Sequence, residues 1–327
     1  MHELTFEQLE SRSERFDDAV RQTDDIDHFC SSSFWILPAW RAFLSDHRLW
    51  AHESDHGYVT LGVGDDRSLG TYLHPLEASW ALASPLVGPD ARALTRQFVD
   101  RCRTTSLQWD ILFLSGISPD STHFQELIRG FRGHYSLGLG PSSIRRVASL
   151  EGGVDGFMER RSSKFRANLR RACRKSEDAG VELDFIDRVD PDDAVDELFA
   201  RALAVEQNSW KADADTGIID GPMRTFYREM LPRLAARNAL RFLFLTCDGE
   251  DIAYCFGGVF NDSFRGLQMS YHDDYRDLSP GNVAQVRMIE QLCDEGVTTY
   301  DLGSDMEYKQ RWGEEGIETV AVIVRQI

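Results

Sequence analysis

Lysine, tyrosine and carboxylate side chains gather in one short stretch of this chain, just where a strand gives out. Thr298 to Leu302 reads as a short strand carrying Asp301, and Gly303, Tyr308, Lys309 and Trp312 follow it closely. Polar clusters past strand ends are where the sites of α/β sheets collect. Upstream, Phe264 to Tyr271 has strand composition and ends in the turn-prone run His272-Asp273-Asp274. Ser279-Pro280-Gly281 then opens an apolar-periodic segment carrying Val283, Val286, Ile289 and Cys293. A helix starting there leaves unpaired N–H groups and a partial positive charge, and a glycine lets a ligand come close. Ser279, Pro280 and Gly281 therefore suit a phosphate or pyrophosphate.

A second concentration of chemistry is cationic. Arg160, Arg161, Lys164, Arg166, Arg170, Arg171, Arg174 and Lys175 lie in one run in which Glu159 is the only acid after Met158. Arg166, Arg170 and Arg174, four apart, form one ridge of a helix. Such a run is either a solvated face paired with the protein's own carboxylates or the holder of an anionic ligand. The chain carries 36 Lys and Arg against 54 Asp and Glu, a net charge of -18. Its surface as a whole repels nucleic acid and anionic membrane, so an anion must be held by a local basic patch such as this one.

The elements that position these groups follow from periodicity. Residues 1 to about 50 read as helical, with Phe34, Trp35, Leu37, Trp40, Phe43 and Leu44 packed on a sheet. Gly57 to Val63 and Gly70 to Leu73 read as a hairpin turning at Gly64-Asp65-Asp66. A helix through Leu94, Phe98 and Cys102, a strand Trp109 to Leu114, a helix His123 to Arg129 and a strand from about Ser143 to Leu150 complete the first half. The second half opens with a helix from Val154 to Lys175, then a strand Val181 to Ile186 and helices Asp192 to Gln207 and Met223 to Arg237. A meander follows (Arg241 to Cys247, Ile252 to Phe260, Phe264 to Tyr271), and Thr319 to Arg325 is a closing strand. Each half has hairpin strands, a Ser-Pro element, a helix and an aromatic-Asp pair starting a strand (Trp109-Asp110; Tyr300-Asp301). The echo is faint, and it fits either chance or duplication of an α/β unit.

The 327 residues, 42% apolar and 11% aromatic, suffice for one large or two medium cores. Six scattered cysteines without a Cys-x-x-Cys pair, and histidines without ligand spacing, predict reduced thiols, no metal and a cytoplasmic location. The N-terminus lacks a basic start with an apolar core, so no secretory leader is expected, and no window approaches a membrane span. Neither a Gly-x-Ser-x-Gly elbow nor a Walker loop is present.

Four elements taken together resemble the GNAT-fold acyltransferases of the CelD/BioF-associated and Fem-type branch. They are the string Ser162 to Arg171, then Glu206-Gln207-Asn208-Ser209-Trp210-Lys211, the Ser279-Pro280-Gly281 loop, and Asp301-Leu302-Gly303 followed by Tyr308-Lys309-Gln310-Arg311-Trp312-Gly313. The resemblance covers about residues 155 to 315 and implies an α/β protein of two GNAT-like halves. Each half would be a mixed, mostly antiparallel sheet flanked by helices: 1–150 degenerate, and 151–327 the acyltransferase half with splayed central strands. It implies an N-acyltransferase that moves an acyl group from acyl-CoA, the co-substrate, to an amine of a small or peptide-like acceptor. The alternatives are an aminoacyl-tRNA-dependent Fem-type transferase, with tRNA as donor, and a non-catalytic ligand-binding module. The single glycine of the Ser279 loop departs from the usual several-glycine pyrophosphate run.

Carried over residue by residue, the resemblance makes Lys309 the group that steadies the oxyanion. Tyr308 and Asp301 would assist the leaving group, and Glu206 would act as general base. Ser279, Pro280, Gly281, Arg166, Arg170 and Tyr271 would hold the donor, and Lys164, Asn168, Trp210, Lys211 and Trp312 the substrate. Plain structural roles stand beside these. Lys309 also reads as a surface lysine, Tyr308 as a buried tyrosine, Glu206 as a partner of Lys211, Asp301 as a cap of the next turn, and Trp210 as core.

Overall fold

A computed structural model describes residues 1–189, 193–209 and 217–327, which fall into two compact units, Met1–Ile144 with Ile317–Ile327, and Arg145–Gly316. Trp210 and Lys211 lie outside the described residues. Among the described residues no helix is long and apolar enough to cross a membrane.

The first unit holds strands β1 (His2–Leu4), β2 (Arg48–Ser54), β3 (Gly57–Asp66), β4 (Gly70–Pro75), β5 (Leu86–Val87) and β6 (Ile111–Ile117), and helices α1 (Phe6–Ser11), α2 (Ser13–Arg21), α3 (His28–Ser31), α4 (Ser33–Phe43), α5 (Ala91–Thr104) and α6 (Thr122–Phe131). β1 to β4 pair antiparallel in order, and β6 joins β4 in parallel at Tyr72↔Ile111 and Leu73↔Leu112. The alternating inner residues Val59, Leu61, Val63, Leu73, Leu112 and Leu114 form a core with Leu94 and Phe98 of α5 and Leu127 and Phe131 of α6. The hairpin between β3 and β4 turns later than its composition predicts. Gly64, Asp65 and Asp66 stay in register with Tyr72, Thr71 and Gly70, and the chain reverses over Arg67-Ser68-Leu69. Asp66 Oδ1 accepts hydrogen bonds from the amides of Ser68 and Leu69, so the acid initiates the turn from the last strand position. Past β4, the buried Glu77 accepts four backbone N–H bonds, from Trp80, Ala81, Leu82 and Ala83. Amides that could cradle an anion there are occupied by the chain's own carboxylate.

The second unit takes β7 (Ser136–Ser149) from Arg145 onward, followed by α7 (Gly153–Glu159), α8 (Ser163–Asp178), β8 (Glu182–Ile186), α9 (Asp193–Gln207), α10 (Gly221–Ala236), β9 (Leu240–Cys247), β10 (Glu250–Phe260), β11 (Ser263–Tyr271), α11 (Pro280–Asp294), β12 (Thr299–Ser304) and the start of β13 (Glu314–Arg325). Its sheet runs β7-β12-β11-β10-β9-β8, and among the described residues only β11 and β12 of these strands pair in parallel. Both units thus repeat an antiparallel meander followed by a parallel strand, as two GNAT-like halves require. The helix expected from Val154 to Lys175 is two helices. Ser162 caps α8, its hydroxyl accepting from Phe165 N at 3.2 Å, and Ser-Ser before an apolar-periodic run is a helix start that the unbroken periodicity conceals. Apolar faces of α7, α8 and α11 meet the sheet in one core that includes Phe157, Leu169, Leu243, Phe264, Val286, Ile289 and Trp312.

Candidate active site

The parallel strands β11 and β12 pair at three positions only: Ser263↔Thr299, Phe264↔Tyr300 and Arg265↔Asp301. Beyond them the strands part, and the register shows why. On β11, Gln268 pairs with Phe256 and Gly266 with Gly257, so Leu267 is an extra residue. On β12, Asp301 pairs with Val147 and Gly303 with Arg146, so Leu302 is extra. A bulge bends its strand and sharpens the local twist. Two bulges placed immediately after the last shared position turn the strands apart, and the edge of β11 from Gly266 to Tyr271 is left without a strand partner on that side among the described residues.

The fork is built on charge. Asp301, 5% exposed, accepts from Arg265 Nη1 at 2.9 Å and from Arg145 Nη1 at 2.7 Å on one oxygen, and from the amide of Gly303 at 2.8 Å on the other. It caps the turn that follows, and its lone pairs are committed to the strands that meet there. Gly303 has a φ of 82°, the left-handed region that glycine adopts freely, and this carries the chain over into the Glu307–Arg311 turn.

That turn brings Lys309 back to the fork. Its Nζ donates to the carbonyl of Ser304 at 3.0 Å, and a Cβ on Gly303 would lie 3.6 Å from Lys309 Nζ and 3.4 Å from Arg265 Nη2. Burial, then the neighbouring Arg265 guanidinium, push the ammonium down to about 8, against the opposing pull of Asp301 and Asp305. Tyr308 stands at the rim, 42% exposed; burial raises its pKa, as does the Cys255 thiol, so the phenol keeps its proton.

Ser279, Pro280 and Gly281 begin α11 beside the free end of β11. Ser279 is left-handed (φ 55°) and its hydroxyl makes no cap bond. A Cβ on Gly281 would sit 3.2 Å from the Tyr271 ring, so the glycine allows the helix start and the strand end to approach closely. Tyr271, Gly281 and the fork therefore lie along a single strand edge. From the opposite flank, Lys175 of α8 donates to the carbonyl of Asp277 at 2.6 Å, and Ser176 Oγ to that of Leu278 at 3.3 Å.

The basic run divides. Arg160 reaches the carbonyls of Ser149 and Glu151, Arg161 pairs with Glu314, and Arg166 donates to the carbonyls of Met158 and Arg161, closing α7. Arg166 is thus turned away from the ridge expected of it. Lys164, Arg170, Arg171 and Arg174 are exposed and make no hydrogen bond or ion pair among the described residues; Asn168 is exposed beside them. Glu206 lies on α9, fully buried, accepting from Tyr254 Oη at 2.7 Å. Trp312 is 3% exposed, with its ring against Phe157 and Phe165 in the core.

Sequence reasoning missed Arg265 and Arg145. The available signal was an arginine within each strand that flanks the Asp301 strand, Arg265 in Phe264–Tyr271 and Arg145 in Ser143–Leu150.

Residues 163–310 match the family profile of the acetyltransferase (GNAT) domain. The fold is similar across the full chain to the crystal structure of FemX (TM-score 0.62, 12% identity, covering 98% of this chain and 96% of that one). It is also similar to a conserved protein of unknown function from Bacteroides thetaiotaomicron VPI-5482 (0.60, 13%, 98% and 98%). A third match is the C-terminal domain of a putative lysylphosphatidylglycerol synthetase from Agrobacterium fabrum (0.58, 15%, 96% and 91%). Among curated proteins, none matches. Residues 163–310 thus carry a GNAT acetyltransferase domain, and the chain as a whole has a fold similar to that of FemX.

Proposed function

We propose that the Arg145–Gly316 unit is an N-acyltransferase that takes its acyl group from acyl-CoA. The observation that carries this reading is the fork. The unpartnered edge of β11 accepts the amide-bearing arm of the donor as an added strand, which sets the thioester carbonyl at Arg265 and Asp301. The donor's pyrophosphate rests on the Ser279-Pro280-Gly281 helix start, where the Gly281 N–H and the helix dipole favour an anion, the amides of Ser279, Asn282 and Val283 being already bonded to backbone carbonyls.

The acceptor amine attacks the carbonyl carbon directly. Electron density moves onto the carbonyl oxygen, and the Lys309 ammonium stabilises the resulting oxyanion. The tetrahedral adduct collapses by breaking the C–S bond, and Tyr308, which holds its proton, supplies it to the departing thiolate. The proton lost by the amine passes to solvent or through a water chain. Glu206, which accepts from Tyr254 Oη in the core, is the carboxylate that could receive the proton at the end of such a chain.

A second reading, with aminoacyl-tRNA as donor, is favoured by one observation: the four exposed cations Lys164, Arg170, Arg171 and Arg174 on α8, without an ion pair among the described residues. A polyanion neutralises such a face. Thermal melting separates the two readings. A rise in Tm with acetyl-CoA and none with charged tRNA supports the first, and the reverse discards it in favour of the second. If neither donor shifts the melt, both fail and a non-catalytic module is left.

A further inference from the structure

The first unit carries a pocket of its own. A cavity of about 330 Å³ is lined by Leu44, His47, Tyr72, His74, Ile111 and Arg325, with Leu69, Phe113 and Ile323 completing its apolar wall. Its volume falls at the lower end of those that enclose small molecules. The cavity lies over the outer face of β4, β6 and β13. Along β6 and β13, Leu112, Leu114, Val322 and Val324 point into the core, and the alternate residues Ile111, Phe113, Ile323 and Arg325 face the cavity.

Two features show that the polar part is held in place. The first is a fixed imidazole relay. His74 Nδ1 lies 2.8 Å from the carbonyl oxygen of Pro75, and His74 Nε2 lies 2.7 Å from His47 Nδ1. A carbonyl oxygen only accepts, so His74 carries its proton on Nδ1 and presents a lone pair at Nε2. Burial holds His74 neutral, with its pKa lowered to about 4. His47 must then donate from Nδ1, which leaves neutral His47 with a bare lone pair on Nε2. That atom has no partner among the described residues.

The second feature is the floor. A Cβ on Gly62 would fall 2.8 Å from His74 Cε1, and one on Gly64 would fall 2.5 Å from the Tyr72 hydroxyl and 2.9 Å from His47 Cε1. Gly62 and Gly64, two apart on one face of β3, leave the space in which these rings lie. Across the pocket the Arg325 side chain is exposed and forms no hydrogen bond or ion pair among the described residues.

We propose that this pocket binds a small apolar 2-amino or 2-hydroxy acid, with its carboxylate on Arg325, its ammonium or hydroxyl donating to His47 Nε2, and its side chain against Leu44, Ile111, Phe113 and Ile323. The guanidinium recognises the carboxylate and the lone pair requires a donor beside it. The wall selects a hydrocarbon body. This ligand class is independent of the donor that the second unit takes.

The test is calorimetric titration of the full chain at pH 7 with L-phenylalanine, L-3-phenyllactate and 3-phenylpropionate, the last of which lacks the donor. The proposal expects saturable binding of at least one of the first two, and binding of 3-phenylpropionate about tenfold weaker or worse. Whichever of the two binds identifies the donor as amine or hydroxyl. Arg325→Gln, an exposed change that leaves the fold intact, weakens binding by about tenfold. The proposal is overturned if neither of the first two saturates, if 3-phenylpropionate binds as tightly as they do, or if Arg325→Gln binds like the parent.

Discussion

Arg265 and Asp301 face each other across the last paired position of β11 and β12, with Arg265 Nη1 donating to Asp301 Oδ2 at 2.9 Å. The ion pair fastens the two strands at the point where they separate, and it places a second cation beside Lys309. Structure and chemistry therefore share one charge.

Replacing Arg265 tests both roles. Arg265→Met leaves Asp301 with Arg145 and the Gly303 amide, so the loss of stability falls at or below the low end expected for breaking a buried pair, about 2–3 kcal/mol by chemical denaturation. It also removes the cation that helps hold Lys309 down, so the pKa read from the pH–rate profile moves up. A stability loss with no movement of that pKa would deny the coupling.

Lys309 acts as a cation in this scheme, so the rate controlled by it falls as pH rises through about 8. Lys309→Arg keeps the charge at all accessible pH and loses that falling limb. A limb unchanged in the arginine variant assigns it to another group.

The same shift has a sign for stability. The folded pKa of Lys309, about 8, lies below its ordinary 10.5, so between these values the unfolded chain binds more protons and stability rises with pH. Below pH 8 the buried ammonium is a net cost. Lys309→Met therefore melts higher than the parent at pH 7, and the advantage shrinks as pH climbs from 8 towards 10.5. An equal or lower Tm at pH 7 contradicts the burial of a charged Lys309.

The exposed cations of α8 make no ion pair among the described residues, so removing them costs the fold little. Arg170→Ala, Arg171→Ala and Arg174→Ala each change stability by no more than about 0.5 kcal/mol. If tRNA is the donor, each weakens tRNA binding and flattens the log–log salt dependence by about 0.9 for every phosphate no longer neutralised. Unchanged salt slopes in all three variants exclude this face as the tRNA-binding surface.

Glu77 occupies its own amide nest in the first unit. Glu77→Gln keeps the shape but loses the charge on four N–H donors, and costs about 1.5–3 kcal/mol in a denaturant melt. A neutral substitution would mean that the nest forms without the carboxylate.

Much of this was legible in the sequence. The β11 and β12 strands, the helix opening at Ser279 and the cluster through Lys309 could be read because strand composition, Ser-Pro-Gly and periodicity are local signals. The meaning of Asp301 was half legible: a carboxylate at a strand end reads as a cap, but its two arginines come from strands far away in the chain. Arg265 stayed hidden because a buried charge is intelligible only with its partner, and the partner depends on register. Trp312 read as a site residue because its place between Phe157 and Phe165 is set by the packing of α7 and α8. The break at Ser162 was masked by apolar spacing that continues across it.

The central claim is that a thioester donor lies along the free edge of β11 and reaches the fork. Hydrogen exchange with and without saturating acetyl-CoA tests this most directly, since it needs no knowledge of the acceptor. The account predicts slowed exchange in Gly266–Tyr271 and in the first turn of α11 after Ser279. Unchanged exchange in both segments at saturating acetyl-CoA would contradict it.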